Sequence, residues 1–224
     1  MKQQIVKVVV FSAVLACGGC GLAGLLGTPT RYEQKVKAEY NLVVHKKQKL
    51  LVFVNQPVWL ESEENLRYPL TEALGKSIAK KVKIPADSII GYETLSEFRS
   101  NQANFSQLAP QEIGRALGAN LVLLVAVQEY SLTNMPQTNY HKGQLSAEAV
   151  LIDAATGTKL WPVSGTGRKI RVGFDVMVGD REIALARLAD ACAYCTVRYF
   201  YDCSMAKFKI AEDRSDVDWE NWQQ

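Results

Sequence analysis

The sequence predicts an α/β fold, with one mixed sheet of about five strands that carries helices in the order β-α-β-α-β-β-β-α. Short apolar runs alternate with helix-periodic segments in the first half of the folded part, and strand-like segments follow one another in the second. The composition, 48% hydrophobic and 22% charged, is that of an ordinary globular domain. A chain of this length can bury a substantial core.

The first predicted strand and helix follow each other closely. Residues 50–54 are apolar without polar alternation, as is typical of a central strand. Leu or another aliphatic residue then recurs every fourth position from Leu66 to Val82, which predicts an amphipathic helix. Pro69 is compatible with this helix in its first turn and would kink it elsewhere.

Two short helices and a short strand come next. Residues 88–92 predict the strand, and residues 93–100 predict a helical turn. Residues 110–117 predict a short helix because Pro110 opens the segment and Gly118 follows its end.

The second half predicts neighbouring strands and a final helix. Residues 120–130 are the strongest strand signal, 133–142 predict a polar loop, and 145–151 alternate as a partner strand. Residues 153–157 have the chemistry of a hairpin turn that returns into strand 159–161. Residues 170–178 extend the sheet or add a strand. A helix then follows Asp180 and runs to about Tyr201.

The amino terminus has the pattern of an export signal. Lys2 precedes an apolar run that ends in VLAC at residues 14–17, with a second cysteine at position 20. This closely resembles a bacterial lipoprotein signal, in which the cysteine becomes the first mature residue and carries acyl chains. Cys17 is the predicted lipidation site, with a signal peptide over 1–16. Cys20 is the alternative, with a signal peptide that extends to 19.

Two other interpretations of this leader remain open, an uncleaved membrane anchor and a plain secreted product. A membrane span needs about 20 mostly apolar residues, and the second half of the segment is rich in glycine. Neither Cys17 nor Cys20 is followed by Asp, the inner-membrane retention residue of well-studied lipoproteins. The resemblance therefore implies the periplasmic face of the outer membrane, with the inner membrane as the alternative.

The mature chain carries little net charge. Its formal charge falls from +3 to +1 when the leader removes Lys2 and Lys7. A nucleic-acid partner is not expected, because such domains are clearly basic. Residues 17–49 include a basic stretch and predict a solvated tether near the lipid, with contact to anionic head groups as the alternative. The α/β domain is expected over 50–209.

Two segments carry a resemblance to known families. They are IGRALGANLVL at 113–123, a helix-to-strand passage, and LIDAATGTKLW at 151–161, the hairpin. They resemble the α/β domain of the curli-secretion, exopolysaccharide-export and penicillin-binding-protein-activator lipoproteins, and of the Tol-system amino-terminal domain. GTPT at 27–30, VNQP at 54–57 and LSEFRSNQ at 95–102 resemble a closer lipoprotein family.

The resemblance implies a non-catalytic interaction module in envelope assembly or export. Its expected partners are the lipid bilayer, an envelope protein and further copies of itself in a ring. It implies no cofactor. The competing interpretations are a purely structural lipoprotein and an enzyme acting on envelope polymer. Such an enzyme would need clustered carboxylates, for instance Glu93, Glu97 and Asp175.

Three cysteines remain after the leader, Cys192, Cys195 and Cys203. A continuous helix would place Cys203 about 12 Å above Cys195 along its axis. A disulfide needs α-carbons within about 7 Å, so a bond to Cys203 requires the helix to break near residues 201–202. One disulfide within this trio, buried thiols, a metal site and a redox pair all stay open, in that order of preference.

The remaining chemical signals are weak. Residues 164–169 resemble a phosphate loop but lack its spacing and precede no helix. His45 and His141 lie beside lysines and are expected on solvated faces. The tail, residues 210–224, is acidic and aromatic, and lacks the glycine of a calcium loop. It is either a disordered solvated tail or a docking segment with Trp219 and Trp222 on one helical face. No metal site is predicted.

Overall fold

The computed structural model describes residues 35–61, 64–135 and 140–204, which form a mixed β-sheet with helices on both faces. The helices are α1 (Val58–Glu61), α2 (Arg67–Ser77), α3 (Tyr92–Asn101), α4 (Pro110–Ala116) and α5 (Arg181–Val197). The strands are β1 (Lys35–Val36), β2 (Leu50–Asn55), β3 (Ile89–Ile90), β4 (Leu121–Met135), β5 (Tyr140–Asp153), β6 (Lys159–Trp161), β7 (Arg168–Val178) and β8 (Cys203–Ser204). The predicted α/β class is confirmed.

The main sheet has six strands in the order β3-β2-β4-β5-β6, and β7 also pairs with β5. β2 is parallel to β3 and to β4, whereas β4, β5, β6 and β7 are joined by antiparallel pairing. β6 pairs with β5 at Leu151 and Ile152, and β7 pairs with residues 140–149 of β5. The sheet exceeds the predicted five strands because residues 168–178 form a strand of their own.

The alternating side chains of β2 separate two apolar cores. Leu50, Val52 and Val54 belong to the larger core, which also includes residues of α2 and α5. Leu51 and Phe53 belong to the smaller core, which includes residues of α3 and α4. A strand buried on both faces reads as a continuous apolar run, which is the pattern that predicted it.

The α2 helix begins at Arg67, so that Pro69 lies in its first turn, where the missing N–H costs nothing. The chain continues as a π-helical turn over Ile78–Val82. It ends at Lys83, which has a left-handed backbone with φ of 66°. The helix predicted over residues 66–82 is therefore confirmed.

The predicted loop over residues 133–142 is wrong. β4 continues to Met135 and β5 begins at Tyr140, and these two residues pair across the hairpin. Polar residues continue the ladder here because backbone hydrogen bonds need no particular side chain. His141 lies within this extension and is only 4% exposed, contrary to the expected solvated position. His45 is half-buried, with its ring stacked on Tyr40 at 5.5 Å.

Part of the segment that was expected to be a tether packs on the folded body. Residues 17–34 lie outside the described part of the chain, but residues 35–49 pack on the body. β1 pairs with β8, and Leu42 is fully buried in the larger core. The carboxylate of Glu39 accepts a hydrogen bond from Trp161 Nε1 at 2.8 Å and pairs with Arg168. The sequence did not predict this packing because the segment is basic in composition and only a few of its side chains anchor it.

The hairpin and the final helix follow the prediction. The Asp153 carboxylate accepts the backbone N–H of Thr156 at 2.8 Å, and Gly157 has φ of +74°. These hydrogen bonds from Thr156 lower the pKa of Asp153. After α5, a 3₁₀ turn over Arg198–Phe200 leads to Tyr201, whose backbone is extended. The helix therefore ends close to residues 201–202, where a bond to Cys203 would have required it to break.

Candidate functional site

Several residues singled out in the sequence lie outside the described part of the chain. They are Cys17, Cys20, Trp219 and Trp222, together with the whole segment 205–224. Lipidation and docking through the tail therefore stay predictions.

The three remaining cysteines are free thiols in the structure, and all are buried. Cys192 and Cys195 lie on α5, and the Thr196 hydroxyl donates to the Cys192 carbonyl at 2.8 Å. Cys203 lies on β8, with its Sγ 3.6 Å from the Tyr194 hydroxyl oxygen. This is the arrangement of unbonded thiols that the sequence left open beside a disulfide.

Burial shifts the acidity of these thiols. It raises the pKa of Cys192 to about 12 and, despite the nearby Arg198 charge, raises that of Cys195 to about 11. Both thiols are therefore protonated near neutral pH. Nucleophilic and redox cysteines need a thiolate, so this setting does not favour either chemistry.

We expect the free energy of unfolding to fall as pH rises above about 9. The unfolded thiols ionise there while the folded thiols of Cys192 and Cys195 stay neutral, at a cost of about 1.4 kcal/mol per pH unit for each. Urea unfolding at pH 8 and pH 10 measures the change, and Cys192→Ala should show a shallower pH dependence. An equal dependence in that variant would contradict this, as would an intact mass showing loss of two hydrogens.

The carboxylates considered for an enzyme are not brought into one site by the fold. Glu93 and Glu97 are exposed on α3, which packs beside β2. Asp175 lies on β7, whose sheet partner is β5, beyond β4. Residues 164–169 form bends that lead into β7, with Gly165 at φ of +75°, as expected for a strand edge.

A cleft lies instead at the edge of β2. β3 pairs only with Leu50 and Leu51, so within the described residues the rest of β2 has no strand neighbour on that side. The α2 and α3 helices, which pack on opposite faces of the sheet, approach each other over this open edge. A shallow cleft between them is lined by Val54, Arg67, Thr71, Tyr92, Leu95, Ser96 and Arg99.

Two arginines dominate the cleft. The guanidinium of Arg99 lies over the ring of Phe105, at 4.7 Å from its centroid. Arg67 donates from Nη2 to the carbonyl oxygen of Gln56 at 3.3 Å. Both side chains are half-buried, and burial lowers the pKa of each. The nearby charge of Arg99 lowers the pKa of Arg67 further.

A buried glutamine holds the loop before α2 in place. Gln56 is 2% exposed, and its side-chain oxygen accepts the backbone N–H of Leu66 at 2.8 Å. Its amide donates to the carbonyl oxygen of Glu64 at 2.5 Å. Arg67 is the next residue after Leu66, so the Gln56 contacts also position the backbone of Arg67 at the cleft.

No local motif marks this cleft. The available signal is indirect: VNQP at 54–57 and LSEFRSNQ at 95–102, the segments that were expected to resemble a closer family, both border it. Val54 comes from the first segment, whereas Leu95, Ser96 and Arg99 come from the second. Arginines spaced 32 residues apart form no recognisable motif, and only the packing of α2 and α3 brings them together.

The fold and the cleft define a mixed α/β domain with a cationic site at the edge of its sheet. No protein-family model matches the chain, and no curated protein matches it. Lipoprotein GNA1162 from Neisseria meningitidis is similar in structure, with 20% identity and a TM-score of 0.37, over 64% of this chain and 94% of its own.

Two further solved structures are similar. The PelC dodecamer from Paraburkholderia phytofirmans has 11% identity and a TM-score of 0.37, over 75% of this chain and 95% of its own. The hypothetical protein CT253 from Chlamydia trachomatis has 12% identity and a TM-score of 0.37, over 68% of this chain and 98% of its own. Likeness at this level carries no functional inference.

No helix within 35–61, 64–135 and 140–204 has the length and apolar character needed to cross a bilayer. The same residues contain no group of three or more His, Cys, Asp or Glu side chains placed to hold a metal ion.

Proposed function

We propose that this protein is a lipid-anchored lipoprotein of the periplasmic side of the envelope, held at the outer membrane. Its folded body acts as a non-catalytic interaction module in envelope assembly or export. The observation that carries the proposal is the leader, an apolar run that ends in VLAC at Cys17. Acyl chains contribute about 0.8 kcal/mol per buried CH₂, and two or more chains hold a protein durably on a bilayer.

The packing of the amino-terminal segment supports a short connection between anchor and body. Lys35 already pairs in β1, and Glu39 binds Trp161. The 18 positions from Cys17 to Lys35 can span at most about 60 Å when fully extended. A lipidated Cys17 would therefore keep the body close to the membrane surface, where it contacts other envelope components.

Exposed apolar side chains support an interaction role. On α1, Val58 is 81% exposed and Trp59 is 60% exposed. Large aromatic side chains contribute strongly to binding when a partner covers them. This apolar pair and the cleft at β2 are the surfaces that we expect partners to use.

We expect Cys17→Ala to abolish acylation and to move the protein out of the membrane fraction, because the acyl chains supply the membrane affinity. Metabolic labelling with an acyl-chain analogue, followed by fractionation, measures this in cells that express the full chain. Cys20→Ala distinguishes the alternative site, and Cys192→Ala serves as a matched control that should remain labelled. An intact, unmodified start at Met1 in the purified product would refute lipidation.

Crosslinking in intact cells tests the interaction role. We expect a discrete adduct with an envelope protein or a ladder of self-adducts, weakened in Trp59→Ala. Recovery of monomer alone would leave a purely structural lipoprotein as the better interpretation. A change in envelope polymer composition that depends on Glu93 or Glu97 would favour the enzyme instead.

A further inference from the structure

We propose that the cleft between α2 and α3 binds an oxyanion, a carboxylate or phosphate group, with Arg99 as the main contact and Arg67 beside it. The site lies entirely within the described body of the protein. The proposal therefore stands independently of lipidation and of any envelope partner.

Within the described residues, the charge of Arg99 has no carboxylate partner. Its Nε is buried and has no hydrogen-bond partner among those residues. Its guanidinium rests on Phe105, and no carboxylate of the described residues lies within 4.0 Å of it. A half-buried cation is costly unless it is paired. An anion in the cleft would supply the missing counter-charge and accept the Nε–H.

Arg67 lines the same cleft and adds a second positive charge to it. The Gln56 contacts to Leu66 and Glu64 hold the start of α2 in place, so little backbone ordering is needed on binding.

The rest of the lining specifies the kind of ligand. Thr71, Ser96 and Tyr92 contribute hydroxyl groups, while Val54 and Leu95 are apolar. Guanidinium groups present planar, forked N–H donors that match the spacing of carboxylate and phosphate oxygens. The hydroxyls add donors for further oxygens.

Aromatic side chains border the cleft. Tyr68 is 52% exposed, and its ring meets that of Tyr92 edge-to-face at 5.4 Å. Tyr92 also lines the cleft. The Tyr92 ring can therefore contact the carbon skeleton of a group bound in the cleft.

The test uses the full chain in detergent, titrated with sodium phosphate and separately with sodium acetate, each against sodium chloride at matched ionic strength. We expect at least one of the two anions to raise the melting temperature saturably. Comparison of the two distinguishes a phosphate ligand from a carboxylate ligand. Arg99→Gln should weaken binding at least about tenfold, as expected for loss of a charge-assisted contact.

Matched variants and a second measurement complete the design. Arg115→Gln removes the same charge from an exposed position on α4 and should bind like the wild type. Arg99→Lys keeps the charge but loses the fork, and should bind with intermediate affinity. The Nε–H resonance of Arg99 in the wild type should shift on titration, a readout that needs no variant. No saturable effect of either anion beyond chloride, or equal binding by Arg99→Gln, would overturn the proposal.

Discussion

Trp161→Ala is expected to lower the free energy of unfolding by about 3 to 5 kcal/mol, the usual range for loss of a buried aromatic side chain. Trp161 is fully buried at the end of β6. Its ring lies 4.8 Å from that of Phe200 and 5.5 Å from that of Tyr199. Its Nε1 donates to Glu39, so one side chain joins a sheet edge, the end of the last helix and the amino-terminal segment.

Urea unfolding of Trp161→Ala measures this loss, and two variants separate its causes. Trp161→Phe retains most of the ring packing but leaves Glu39 without the indole donor, so it should cost about 1 to 3 kcal/mol. Trp59→Ala removes an exposed Trp and should change stability by no more than about 0.5 kcal/mol. If Trp161→Ala were no less stable than Trp59→Ala, this account of the junction would be wrong.

Gly114→Ala is expected to destabilise the protein by about 1 to 3 kcal/mol, the cost of inserting a methyl group into a packed core. This is opposite to the usual gain of about 0.5 to 1 kcal/mol for the same change inside a helix. A Cβ at this position of α4 would lie 2.4 Å from Val122 Cγ2 and 3.3 Å from Ala154 Cβ. The helix can approach β4 this closely only because the side chain is absent.

Gly91→Ala is the matched control, since a Cβ there meets nothing within 4 Å. Gly91 precedes α3 with φ of −100°, so alanine should be tolerated there with little change in stability. Combining Gly114→Ala with Val122→Ala should cost less than the sum of the two single changes, because Val122→Ala removes the nearest clashing atom. Thermal unfolding of the wild type, the three single variants and the double variant tests this. A Gly114→Ala variant more stable than wild type would contradict the close approach.

Short-range sequence patterns predicted the helices and the turn that are defined by neighbouring residues. The four-residue recurrence from Leu66 to Val82 predicted α2, and Pro110 with Gly118 bounded α4. The turn at residues 153–157 was predicted from side-chain oxygens that bind adjacent backbone amides. Each of these signals acts within a few residues, so it is visible in the sequence.

The adjoining ends of β4 and β5 were harder to recognise. β4 extends to Met135 and β5 begins at Tyr140 without apolar alternation, and these ends are held by backbone hydrogen bonds to each other and by β7 on the far side of β5. The packing of residues 35–49 was missed for a related reason. The partners of Glu39 are Trp161 and Arg168, more than 100 residues further along the chain.

The residue pattern alone predicted the α/β class, the order of the main elements and a lipoprotein-type leader. Those properties depend on periodicity, turn chemistry and short motifs. The cationic cleft, the buried state of His141 and the enclosure of the thiols emerged only from the packing of the elements. Arg67 and Arg99 line one cleft because β3 is short and two helices pack over the exposed edge of β2. Long-range contacts set this arrangement, so no local sequence pattern predicts it.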